Sequence, residues 1–153
     1  MIFGIGTDIV AIDRFKPWLD KPALMHRFFS AAEIEWCISG KGQAAASLAA
    51  RFAAKEALGK ALGTGLRGIL LRDIAVGRDV AGKPLFQLGN SAIDRLNHLV
   101  GNSGNDWKIH LSLSHDGGNS MAFVIIEIVA KQISAFAEQK FPIETFAPHG
   151  RKE

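Results

Sequence analysis

One stretch constrains the fold of this 153-residue chain more than any other: residues Gln43 to Leu62 read as a single helix. Five of the first eight residues after Gln43 are alanine, the strongest helix former, and no glycine intervenes before Gly59. Leu48, Phe52 and Ala53 recur at helical spacing, and Gly63 supplies a C-terminal stop. Most positions are small or apolar, so the helix is predicted to be packed on several sides, and any acid or base it carries should be aimed at something specific.

Shorter elements flank it. Residues 2–10 read as a mostly apolar strand ending at or just past Asp8, and Ile12 to Leu19 as a short helix closed by Pro17 and Pro22. Ser30 and Glu33 form a capping box that starts a helix running to about Ser39, where Gly40-Lys41-Gly42 breaks it. A glycine-rich loop spans Gly63 to Gly68. Asp73 to Arg78 and Leu85 to Leu88 read as hairpin strands joined by Asp79-Val80-Ala81-Gly82-Lys83-Pro84. Ser91 to Val100 is expected to be a helix capped by Ser or Asn. From Trp107 to His115 apolar and polar residues alternate, and Asp116-Gly117-Gly118-Asn119 is a strong hairpin turn into the apolar strand Met121 to Val129. Short hairpins between the later strands predict an α+β fold with an antiparallel sheet and packed helices, not a doubly wound parallel one. By length it is one domain, placed at residues 1–130. Residues 131–153 read as a C-terminal helix and a loose tail.

Composition removes several function classes. A formal charge of +3 with 22% charged residues lacks the dense basic clusters of a nucleic-acid binder. No apolar run approaches a membrane span, and the N-terminus lacks the basic region of a signal peptide. The single cysteine, Cys37, fits a reducing compartment and reads as a buried small hydrophobe in a helix. A cytoplasmic protein is expected.

Three features could carry chemistry. Asp8 is an acid at the end of an apolar strand, a position equally suited to capping the next helix. Glu56 and Lys60 are four apart on one face of the long helix, in the order that suits a simple surface pair. A hard cation between Glu56 and Asp8, with Lys60 on a phosphate, is the functional alternative, since magnesium takes carboxylate oxygens and is completed by water and phosphates. His110 and His115 lie on or beside the strand of alternating residues. Ser114, His115 and Asp116 are too close in sequence to form a triad, and either histidine would also fit an ordinary surface role. Gly4-Ile5-Gly6 lacks the third glycine and the helix of a dinucleotide fingerprint.

Four segments together resemble the holo-[acyl-carrier-protein] synthases, the small class of 4′-phosphopantetheinyl transferases. They are Gly4-Ile5-Gly6-Thr7-Asp8-Ile9-Val10, Arg51 to Ala57 with Lys60 to Gly65, Gly82-Lys83-Pro84, and Leu111-Ser112-Leu113-Ser114-His115. The resemblance covers about residues 2–129 and implies the family's phosphopantetheinyl transferase fold. It also implies transfer of 4′-phosphopantetheine from CoA to a carrier-protein serine, with release of adenosine 3′,5′-bisphosphate. Asp8 and Glu56 would hold Mg2+ and Lys60 would neutralise phosphate oxygens. Arg51, Lys41 and His115 would sit near the 3′-phosphate of CoA, with Gly82, Lys83 and Pro84 bordering the nucleotide. For the serine proton, Glu56, a metal-bound water and His115 all stay open. An acidic acyl carrier protein would dock on Arg14, Lys16, Lys21 and Arg27, and a homotrimer with active sites between subunits is implied. The tail from Lys131 extends past the usual family end, and Gly117 to Ser120 lacks an aromatic often found there. Two rivals are an inert binder that kept the fold, which should have lost Asp8, Glu56 or Lys60, and a metal-dependent nuclease, which should carry a denser acid cluster and a basic groove.

Overall fold

The computed structural model describes residues 1–40, 43–100 and 106–129. Lys41 and the expected C-terminal helix and tail, 131–153, lie outside them. The chain runs β1 (Ile2–Ala11), a 3-10 helix (Ile12–Trp18), α1 (Pro22–Phe28), α2 (Ala31–Ser39) and α3 (Ala44–Ala61). A 3-10 turn (Leu71–Asp73), β2 (Ile74–Arg78), β3 (Pro84–Leu88), α4 (Asn90–Val100), β4 (Asp106–Asp116) and β5 (Asn119–Val129) follow. Two antiparallel sheets form, one ordered β1-β5-β4 and one of β2 and β3. The α+β antiparallel expectation is therefore met.

The alanine-rich helix is the centre of the packing. One face of the three-stranded sheet, Val10, Leu111, Ala122, Val124 and Ile126, is buried, and α3 contributes Leu48, Ala53, Ala57, Leu58 and Ala61 to the same core. Gly4 and Gly6 explain how closely β1 and α3 approach. A Cβ at Gly4 would lie 1.9 Å from the Ala61 carbonyl oxygen, and one at Gly6 1.9 Å from that of Ala57. The two glycines therefore let a helix backbone rest directly on a strand, which is the structural meaning of the Gly-x-Gly pair.

The predicted capping box is present: Glu33 N donates to Ser30 Oγ at 3.2 Å and Ser30 N to Glu33 Oε2 at 2.9 Å. The Asp116–Asn119 turn places Gly117 and Gly118 at φ +53° and +81°, as a tight two-residue hairpin requires. One helix is not anticipated, and one expectation fails. Pro22–Phe28 is a helix that residue patterning does not predict; it starts on a proline at its first position and is only seven residues long. Ser91 does not cap α4, because its hydroxyl donates to Asp73 Oδ2 at 2.6 Å and accepts from Leu70 N at 3.2 Å.

Packing on the other side of α3 centres on Lys55, which is fully buried. Its ammonium donates to the carbonyls of Phe28 (2.6 Å) and Leu71 (3.0 Å) and to Glu33 Oε2 (2.8 Å). Glu33 Oε1 accepts from Val76 N at 3.0 Å. Burial pulls the Lys55 pKa down and Glu33 opposes it. Three hydrogen bonds need three N–H groups, so the charged form is the one the geometry accommodates. This pair ties together α1, α2, α3, the 3-10 turn and β2.

Candidate active site

Asp8 lies on β1 opposite Ala122 of β5, on the sheet face that meets α3. Glu56 and Lys60 are on α3, and the glycine contact brings that helix against β1 close by. Lys60 does not pair with Glu56 as its spacing would allow. Its ammonium instead donates to Asp8 Oδ1 at 2.9 Å and to the Thr7 carbonyl at 2.8 Å. Asp8 is largely sheltered, with 17% of its side chain exposed, whereas 55% of Lys60 is exposed.

Glu56 completes the group. Partial burial, reinforced by the charge of Asp8 and opposed by Lys60, raises its carboxyl above the ordinary range. Two carboxylates, one of them near enough to disfavour the charge of Glu56, beside one ammonium, suit a hard divalent cation and a phosphate. Among the described residues no third His, Cys, Asp or Glu joins them, so the remaining positions on such an ion fall to water or phosphate oxygens.

The other expected residues sit elsewhere in the chain. His115 is exposed at the turn end of β4, opposite Ser120. It shares the sheet face of Asp8 but is separated from it by the whole width of β5. Arg51 is 4% exposed; its guanidinium stacks on Trp36 at 4.2 Å, Nη1 donates to Ser47 O at 3.2 Å, and Nε has no partner among the described residues. Burial lowers the Arg51 pKa, while Cys37 and Glu33 work the other way. Arg78 also lies over Trp36, at 5.6 Å.

Gly82, Lys83 and Pro84 close the β2–β3 hairpin, where Asp79 Oδ1 accepts from Ala81 N and Lys83 N, both at 2.9 Å, and Gly82 takes φ +84°. Cys37 is fully buried in α2, as expected, and burial pushes its thiol up to about 11, which keeps it protonated and unreactive at neutral pH. Residue patterning did not single out the Lys55–Glu33 pair. The only local sign was the capping-box glutamate, whose second role depends on a lysine 22 residues away.

Comparison with known proteins places these features. The sequence model of the 4′-phosphopantetheinyl transferase superfamily matches residues 4–123. A holo-[acyl-carrier-protein] synthase of Treponema denticola is 50% identical over 127 residues, which are 83% of this chain and 99% of that protein. The crystal structure of holo-[acyl-carrier-protein] synthase from Neisseria meningitidis superposes with a TM-score of 0.72 at 37% identity, covering 83% of this chain and 99% of that one. A Bacillus anthracis enzyme of the same name, in complex with CoA (3′,5′-ADP), gives a TM-score of 0.66 at 32% identity, covering 85% and 99%. Nearly the full length of each of these relatives is thus accounted for, while the family match ends at residue 123, thirty residues before the last of this chain.

Proposed function

Given that the chain belongs to the 4′-phosphopantetheinyl transferase superfamily and is an enzyme of the holo-[acyl-carrier-protein] synthase type, we propose that it works with Mg2+ and releases adenosine 3′,5′-bisphosphate. In this reaction a serine oxygen of the apo carrier protein forms a bond to the β-phosphorus of CoA. The bond from that phosphorus to the bridging oxygen of the bisphosphate breaks, and the leaving group carries the electron pair. The observation that supports this reading is the meeting of Asp8, Glu56 and Lys60 at one edge of the β1–α3 contact.

Asp8 and Glu56 would hold the metal, which when bound supplies a Lewis acid for the pyrophosphate oxygens. Lys60 has three N–H groups and spends two on Thr7 O and Asp8, leaving one for a phosphate oxygen. The step asks the protein mainly to position reactants and to stabilise charge, which a preset ammonium and a rigid carboxylate pair do. Glu56, whose carboxylate is made more basic by burial and by Asp8, and His115 are the side chains suited to take the serine proton.

We assign the 3′-phosphate end of CoA to Arg51 and His115, and the nucleotide to Gly82, Lys83 and Pro84. His115 stands across the width of β5 from Asp8 within one chain, which favours a trimer in which a second copy brings it to the metal pair. The outer face of the sheet supports such an assembly: Ile5, Ile9, Met121 and Phe123 are all exposed there. Arg14, Lys16, Lys21 and Arg27 are exposed around the 3-10 helix and α1, over a cluster of Phe15, Trp18, Phe28 and Phe52, and suit an acidic carrier protein. Such a role is cytoplasmic, and the described residues hold no helix long and apolar enough to cross a membrane.

The test is intact mass of an apo acyl carrier protein after incubation with the enzyme, CoA and Mg2+. The expected result is a gain of one phosphopantetheine, lost with EDTA and with Glu56→Ala. Folded protein that binds CoA yet loads no carrier would overturn the reading in favour of an inert binder.

A further inference from the structure

Trp36 on α2 has two guanidiniums over its ring: Arg51 of α3, with Cζ 4.2 Å from the ring centroid, and Arg78 of β2, at 5.6 Å. An indole face attracts a cation, but two cations on one ring repel each other. No carboxylate pairs with either arginine among the described residues. Glu33, the acid that acts on Arg51, already accepts from Lys55, Ser30 N and Val76 N. Arg51 Nε is buried without a partner among the described residues, and Nη1 reaches the Ser47 carbonyl. A guanidinium only 4% exposed, with donors uncommitted, is costly to hold unless an anion completes it.

The second arginine narrows the kind of anion. Arg78 Nη1 donates to the Gly82 carbonyl at 3.0 Å, which ties its guanidinium to the β2–β3 hairpin assigned above to the nucleotide. Trp36 is thus the side chain through which the long helix and that hairpin meet. Planar guanidinium forks match the oxygens of a phosphate monoester, which bears about two negative charges and accepts bidentate bonds. A neutral hydroxyl offers neither the charge nor the second oxygen.

We propose that Trp36 is a positioning residue: it holds Arg51 and Arg78 as one two-arginine site for the 3′-phosphate, and so makes the enzyme select CoA over 3′-dephospho-CoA. This rests on the assignment of the 3′-phosphate end of CoA to Arg51. It adds a second ligand, Arg78, and the ring that aims both. With the ring removed, Arg51 loses the surface that fixes the plane of its fork, and Arg78 keeps only its tie to an exposed hairpin. Phenylalanine at the same position retains a π face and part of the hold.

The test is calorimetric affinity for CoA and for 3′-dephospho-CoA, measured on the full chain at fixed ionic strength. Trp36→Leu should lower the preference for CoA by about tenfold, and Trp36→Phe should recover most of it. Arg78→Gln, a change at an exposed side chain, should lower the same preference by about fivefold. A folded Trp36→Leu protein that weakens both ligands equally, or neither, would overturn the proposal, because a ring that only fills space cannot tell them apart. An unchanged preference in Arg78→Gln would overturn it as well, and that variant decides the matter if Trp36→Leu does not fold. Arg51→Gln separates this proposal from the assignment beneath it. Loss of the preference in Arg51→Gln alone would leave the assignment standing and the two-arginine site refuted. A preference that survives Arg51→Gln would remove both.

Discussion

Lys55 and Lys60 leave the same helix five residues apart, and each reaches a carboxylate oxygen, at 2.8 Å on Glu33 and 2.9 Å on Asp8. Their surroundings differ completely. Lys55 and Glu33 have side chains 0% and 1% exposed, and every N–H of the ammonium is spent inside the protein. Lys60 is half in water and keeps one N–H uncommitted. A saturated, desolvated pair can only hold elements together. A half-exposed pair beside a second acid has charge left over for something that is not protein. Distance alone does not separate a structural ion pair from a reactive one; the accounting of donors and burial does.

The largest expected effect tests the structural half. Lys55→Met should cost about 3–5 kcal/mol, because it strands Glu33 in the interior, and urea denaturation would read it. Replacing both partners, Glu33→Leu with Lys55→Met, should recover part of that loss. If the single variant is as stable as the wild type, the comparison breaks. Lys60→Met should change stability by less than about 1 kcal/mol while lowering the rate of carrier loading by about 100-fold. A loss of stability matching that of Lys55→Met would mean that both pairs are structural.

The smallest effect sharpens the functional half. Glu56 has a folded-state pKa above its unfolded value, so the folded state binds the extra proton. The cost of its charge is absent below the ordinary carboxylate range and appears as pH rises through the raised value. Wild-type Tm should therefore fall relative to that of Glu56→Gln as pH rises above the ordinary carboxylate range. Magnesium affinity, which needs the ionised acid, should weaken as pH drops through the same window, read by calorimetry. Parallel Tm profiles for the two proteins would remove Glu56 from the charge cluster.

Much of this arrangement is legible in the sequence, unevenly. The four-residue spacing puts Glu56 and Lys60 on one helical face, and the strand ending near Asp8 brings an acid into play. The alternation from Trp107 and the Asp116 turn define β4 and β5. Partners chosen across the fold leave no such trace. Lys60 selects Asp8 over Glu56 because β1 and α3 touch, and Lys55 finds Glu33 because α2 folds back on α3. Neither choice has a period or a spacing. Arg51 is similar: its place in the interior follows from Trp36, fifteen positions earlier on another helix.

The glycine pair at positions 4 and 6 has a further consequence. Because main chain rests on main chain there, no side chain acts as a spacer between the strand of Asp8 and the helix of Glu56. The gap between the two backbones that carry the acids is set by main-chain thickness, with no intervening side chain to repack or swap. Sequence drift can repack the aromatic cluster, the second sheet or the outer helices and leave that gap where it was. The same joint is brittle: any side chain added at Gly4 or Gly6 would force the strand and the helix apart.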